Sequence, residues 1–218
     1  MVESTQIDHQ GPGPRRRRRF LRNPEGNSRL TAMTGALLFV ILAVEGVTIL
    51  QVGSLFTAHV FIGTLLLGPV LLKTISTTWR FFRYYAGDPA YVEKGPPQMI
   101  LRLLGPLVVI LSFAVIISGI LLVGIAPQSM HDQLMFIHKA TFVLWIGVTS
   151  IHVLGHILET AKVAPKDWRP STRRLVKGAS TRQILLLVSI GVGVLLALLV
   201  TPHARMNFFH EASSILSQ

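Results

Sequence analysis

The segment FIHKATFVLWIGVTSIHVLGH, Phe136 to His156, is almost wholly apolar and yet carries three histidines. Imidazole in such a run has three uses: it ligates a metal through a neutral ring nitrogen, shuttles protons, or hydrogen-bonds across helices. On a helix that turns about 100° and rises about 1.5 Å per residue, His138 and His152 differ by roughly 40° and lie about 21 Å apart along the axis. His156 returns almost to the angle of His138, so all three share one face with Phe142, Trp145 and Thr149. Three imidazoles on one stripe, at different depths, fit ligation better than ordinary packing.

A second stripe lies upstream. His59 sits as deep in its own apolar run as His138 does in the later one, and the two runs point the same way across a bilayer. Lys73 follows His59 by fourteen positions on nearly the same face, at the depth of His152. Gly63 lowers the helix surface between them, and Gly68-Pro69 is placed to bend it. Glu45 is the sole acid within a span and lies near the depth of His59. It either bonds the free N–H of a ligand histidine, exchanges protons with a quinol, or snorkels outward. Gly105, Ser112 and Gly119 recur every seven residues, a small-residue seam for close helix packing. His152 and His156 alone have the i, i+4 spacing of a zinc site, but Val153 stands where a zinc protease needs its Glu.

Two neutral imidazoles from separate helices, at one depth in an apolar cavity, are what a six-coordinate haem iron requires, since the macrocycle supplies the other four nitrogens. In His59, His138 and His152, with His156 nearby, the chain resembles the b-type membrane cytochromes, broadly the cytochrome b561 and ferric-reductase-like transmembrane families. The resemblance covers roughly Leu55 to His156. It implies a helical bundle that holds haem b between His59 and His138, with room for a second haem at His152, and single-electron transfer. The chain departs from the family where Lys73 stands, because a complete second site would want a histidine there. The choices for an inner iron are then His152 alone, His152 with Lys73, or His156 with another partner. Lys73 otherwise snorkels or pairs with a haem propionate.

These residues need a membrane bundle to position them. Half of the 218 residues are hydrophobic and 14% are charged, a balance suited to an integral membrane protein. Five runs are long enough to span a bilayer: Leu30–Gln51, Leu55–Thr78, Leu101–Ile125, Met135–Leu158 and Gln183–Thr201. The fold class is therefore all-α, a polytopic bundle of five transmembrane helices. Eighteen of the 21 Lys and Arg residues fall before the first span, between the second and third, or between the fourth and fifth. That bias puts the N-terminus inside and the C-terminus outside, in the plasma (inner) membrane. Residues 1–29 read as a disordered basic cytoplasmic segment, 30–201 as the haem-binding bundle and 202–218 as a short outer tail. The segment AGDPAYVEKGPPQ reads as turns, and the basic connection Glu159–Arg182 as irregular.

The composition also excludes functions. There is no cysteine, hence no disulfide, no iron–sulfur cluster and no covalently attached haem. The run RRRRRFLR precedes a span, so anionic lipid rather than nucleic acid is its partner. An export-signal reading of the same run lacks a small-residue cleavage site. No flavin or nicotinamide motif is present, so electrons would come from quinol or a separate redox protein. Two other functions fit the same residues: a haem-binding sensor or accessory subunit without turnover, and a haem-free scaffold or transporter whose polar stripe lines a pathway.

Overall fold

The computed structural model describes residues 24–95, 99–124 and 127–216. Every regular element among them is helical. The first span is α1 (Pro24–Leu50); the second is broken into α2 (Val52–Leu65) and α3 (Leu67–Tyr85). A short α4 (Pro89–Glu93) leads to the third span, α5 (Met99–Gly124), and the fourth is α6 (His131–Val163). A 3-10 turn, Ala164–Asp167, and a short α7 (Pro170–Arg173) precede the last helix, α8 (Ala179–Leu216). Five of these stretches are long and apolar enough to cross a membrane, and we describe the chain as a multi-pass membrane protein.

Burial runs opposite to that of a water-soluble bundle. Large apolar side chains point outward, among them Leu103, Leu154 and Leu187, while Thr34, Thr48, Thr64, Ser76, Ser112, Ser118 and Thr149 are buried. Lipid tails are as apolar as leucine, so nothing drives Leu inward; small hydroxyl residues let helices approach and find partners between them. The sequence therefore shows its inner face as a polar stripe.

Spans one to four form a ring in which α1 packs on α2, α3 and α6, and α5 packs on α6 and more lightly on α2 and α3. The second and fourth spans occupy opposite corners and face each other across the interior. The fifth span, α8, braces the outside of α2 and α3. The break in the second span has a plain cause. Pro69 has no N–H to give the Leu65 carbonyl, and the ladder resumes with Val70 donating to Leu66 O at 2.9 Å. The freed carbonyl meets α8, where a Cβ built on Gly193 would run into Leu65 O. One turn along, a Cβ on Gly68 would run into Ser189 O. Glycine on both helices is what permits this crossing.

One end of the bundle is tied by charge. Asp167 is fully buried and accepts from Arg29 Nη1 at 3.0 Å and Arg182 Nη2 at 2.9 Å. Arg29 also reaches Thr172 O, and Arg182 reaches Lys177 O and Val176 O. One carboxylate thus pins the starts of α1 and α8 to the fourth–fifth connection. We call this the basic end.

Several expectations change here. Residues 1–23 of the supposedly disordered segment lie outside the described residues, but Pro24–Arg29 is helix, with Ser28 and Arg29 buried. The connection expected to be irregular holds a 3-10 turn and a short helix, with the Asp167 side chain at the end of the turn held by Arg29 and Arg182. The last helix runs past Thr201 to Leu216 with Pro202 inside it, since a helix tolerates a proline at the cost of one hydrogen bond. The turn reading between the second and third spans matches Gly87 and Gly95, both at positive φ, and Asp88, which caps α4 by accepting from Ala90 N. Residues 96–98 of that segment lie outside the described residues.

Two substitutions test these ties. Asp167→Ala removes the carboxylate from the buried Arg182 and leaves Arg29 only its longer pairing with Glu25; it is expected to cost about 3–5 kcal/mol, seen as a large fall in the unfolding temperature of the detergent-solubilised chain. Gly193→Ala is expected to prise α8 from the kink at a cost of about 1–3 kcal/mol. Unchanged melting in either variant would contradict the packing described.

Candidate functional site

The spans border a partly open cavity of about 1670 Å³, larger than the roughly 300–1,000 Å³ of an ordinary ligand pocket. His59, Gly63, Lys73, Glu45, His138, Phe142, Trp145, Thr149, His152 and His156 all line it, so the two stripes do face one interior.

The half away from the basic end brings His59 of α2 and His138 of α6 together, with ring centroids 6.4 Å apart and planes at 76°. Each ring is fixed through Nδ1. Glu45 on α1 is buried and its Oε1 lies 2.8 Å from His59 Nδ1. Its other oxygen, Oε2, accepts from Thr48 Oγ1 at 2.9 Å. Both carboxylate oxygens are acceptors, so His59 Nδ1 is the donor and carries the hydrogen. Of the three roles open to Glu45, the structure adopts the bond to histidine. Gly63 makes room for it: a Cβ there would lie 3.2 Å from Glu45 Oε1.

His138 is held the same way by a different group. Its Nδ1 lies 3.0 Å from Ser118 Oγ, which is also 3.1 Å from Val115 O; with the hydrogen of His138 on Nδ1, the hydroxyl accepts it and donates to Val115. Where both rings hold their hydrogen on Nδ1, Nε2 keeps its lone pair; neither Nε2 makes a hydrogen bond among the described residues. Gly119 gives His138 its space, since a Cβ there would lie 3.0 Å from Cε1.

Two of the three seam residues of α5 seat particular side chains of α6, whereas a Cβ on Gly105 would meet nothing within 4 Å. Gly119 faces His138, and Ser112 accepts from Trp145 Nε1 at 2.8 Å. Phe142 stacks on Trp145 at 6.2 Å and 29°. Along the face of α6 this aromatic pair stands between His138 and His152.

Toward the basic end the arrangement differs. His152 and His156 are neighbours on one helix, with ring centroids 4.9 Å apart. His156 Nδ1 lies 3.6 Å from the exposed Glu159 carboxylate, whereas His152 Nδ1 is buried with no hydrogen-bond partner among the described residues. Lys73 does not snorkel. It turns to α1, donates to Thr31 O at 2.7 Å, and lies where a Cβ on Gly35 would come within 2.9 Å of Nζ. No second imidazole opposes His152 there. Among the described residues, no group of three or more His, Asp or Glu gathers into a metal-ion site.

Sequence reasoning missed Thr48 and Ser118, which sit among many small hydroxyl residues and carry no distinguishing pattern. It also missed the Arg29–Asp167–Arg182 tie. The signal for that was present, because Asp167 lies among the many basic residues of the fourth–fifth connection.

The Trp145–Ser112 bond gives a direct test of this architecture. Trp145→Phe removes the buried donor and is expected to lower stability by about 1 kcal/mol, read from thermal unfolding, while Ser112→Ala in the same background adds little. Comparison with protein-family models, with curated proteins and with solved structures finds no match for this chain.

Proposed function

We propose that this chain is a membrane haem b protein of the inner membrane that carries single electrons, with His59 and His138 as the axial ligands of one haem. The observation that supports the reading is the His59–His138 geometry. A metal–imidazole bond is about 2 Å long, so two rings on opposite sides of one metal, each adding about 1 Å from nitrogen to centre, place their centroids roughly 6 Å apart. The spacing here is 6.4 Å. In this reading both rings hold their hydrogen on Nδ1, which leaves Nε2 free to donate its lone pair. A ligating histidine commonly gives its other N–H to a carboxylate, hydroxyl or carbonyl, as these two do.

When bound, haem b supplies a one-electron couple at a six-coordinate iron, a state that favours electron transfer over oxygen chemistry. The protein's part is positional. Glu45 and Ser118 set the two tautomers, Gly63 and Gly119 clear the space, and apolar walls keep water from the metal. A bare pair of histidines satisfies this chemistry because the macrocycle provides the remaining donors, so the lack of a three-residue metal cluster is no obstacle. The electron donor in this reading is a quinol or a separate redox protein. The basic end faces the cytoplasm in the same reading, because that end collects the Lys and Arg residues.

Protein purified from haem-supplied cells is expected to show a Soret band and sharp reduced α and β bands after dithionite. His59→Ala and His138→Ala should each abolish the low-spin spectrum, and quantification should give one haem per chain. A colourless protein, or a spectrum indifferent to both substitutions, would sink the proposal. Glu45→Gln keeps the shape but removes the charge behind His59. It is expected to weaken haem retention about 10–100-fold and to raise the midpoint potential, while leaving the spectrum low-spin. An unchanged potential would mean that Glu45 does not act on the ligand.

A further inference from the structure

We infer that His152 and His156 form a binding site for a divalent transition-metal ion, zinc being the ion their spacing fits best. The two stand one turn apart on α6, with ring centroids 4.9 Å apart. A metal–imidazole bond of about 2 Å puts the ring centre about 3 Å from the metal. Two rings at a tetrahedral angle on one ion are then about 5 Å apart, and two on opposite sides about 6 Å. The chain holds one pair of each kind. His59 and His138, at 6.4 Å, have the opposite-side spacing, whereas His152 and His156 have the tetrahedral one. A haem iron takes its axial ligands from opposite faces of the macrocycle, so the second pair does not suit one haem jointly. A free ion that accepts adjacent imidazoles does suit it, and zinc with its tetrahedral habit is the plainest.

Both rings line the cavity, and the fold commits neither to another task. His152 makes no hydrogen bond among the described residues. An imidazole left so in a membrane span is costly unless something uses it. His156 Nδ1 faces the Glu159 carboxylate at 3.6 Å, just beyond hydrogen-bond length. Glu159 is 62% exposed, so a small rotation closes that gap. A carboxylate behind the ring fixes the tautomer that leaves Nε2 for a metal and makes that nitrogen more basic. Glu45 stands in the same relation to His59. Glu159 also brings negative charge to meet the ion, while the ammonium of Lys73 is committed to the Thr31 carbonyl of α1 at 2.7 Å.

Two protein donors leave two positions of a tetrahedral ion open to water or to an oxygen of a further ligand. Structural zinc sites are closed by four protein ligands, so this one is an exchangeable site. Val153 occupies the place of a zinc protease's general base, and binding rather than hydrolysis is what the pair supports. The site stands apart from His59 and His138, from which Trp145 and Phe142 separate it along α6.

The test is a titration of the full chain in non-ionic detergent, haem-loaded and haem-free, with zinc and with cobalt(II). The readouts are calorimetry, the unfolding temperature and the visible bands of bound cobalt. One ion per chain is expected, with the intense bands of four-coordinate cobalt and an unfolding temperature that climbs with metal concentration. His152→Ala and His156→Ala should each weaken binding by about tenfold or more, and Glu159→Gln by about 10–100-fold. His156→Gln, which keeps most of the side-chain volume, repeats the measurement should the alanine variant fail to fold. His203→Ala should leave binding unchanged. Affinity that survives both His152→Ala and His156→Gln in folded protein would overturn the inference. So would a second haem per chain that disappears on His152→Ala. A chain that takes up no haem but binds zinc through His152 and His156, with His59→Ala in place, upholds the ion site while the axial-ligand reading fails.

Discussion

A carboxylate at membrane depth survives only where donors surround it, and in this chain the donors around Glu45 are what order one half of the bundle. Water cannot reach that depth to solvate the group, so the helices must. Thr48 on the same helix and His59 on the next each give a hydrogen to it. The contact therefore fixes the rotation of α2 against α1, and with it the direction in which His59 points. His138 then meets His59 from the opposite corner, because Ser118 on α5 turns it the same way. Four helices are oriented in two pairs by two hydrogen bonds to imidazole, and the cavity follows from that orientation.

The basic end uses the same physics with stronger charges. Asp167 is shared by two arginines from different helices, and neighbouring carbonyls accept further hydrogens from both guanidiniums. Asn27 and Thr31 reach Ser76, and Lys94 reaches Ser28. This end is cross-linked side chain by side chain. The middle relies on shape instead: glycines at the α3–α8 crossing and a tryptophan lodged against a serine.

Much of this was legible in the residues, and the limits have physical causes. Five spans could be counted because hydrophobic length is set by bilayer thickness. The shared face of His138, Phe142, Trp145, Thr149, His152 and His156 followed from helical period alone, and the kink from Pro69. Span ends were less readable. Pro24 opens α1 earlier than hydropathy suggests, since the first turn is held by polar contacts at Asn27 and Arg29 rather than by apolar character. The direction of Lys73 could not be read, because a four-carbon stem can turn toward either interface and only the notch at Gly35 decides. Ser118 and Thr48 were invisible for a similar reason: a hydroxyl in a membrane helix serves its own backbone by default, and only the neighbouring helix reveals another task.

The two imidazoles at the far end from Asp167 are supported unequally. One leans on a carboxylate and the other on a neutral hydroxyl. A histidine backed by negative charge is the more basic donor, so the pair has a built-in polarity across the gap between α2 and α6. Any cation clamped there would be gripped harder by the helix that follows Glu45 in sequence, and under strain the grip from His138 would be the first to loosen. Symmetric-looking coordination in this fold would thus conceal a tight side and a labile one.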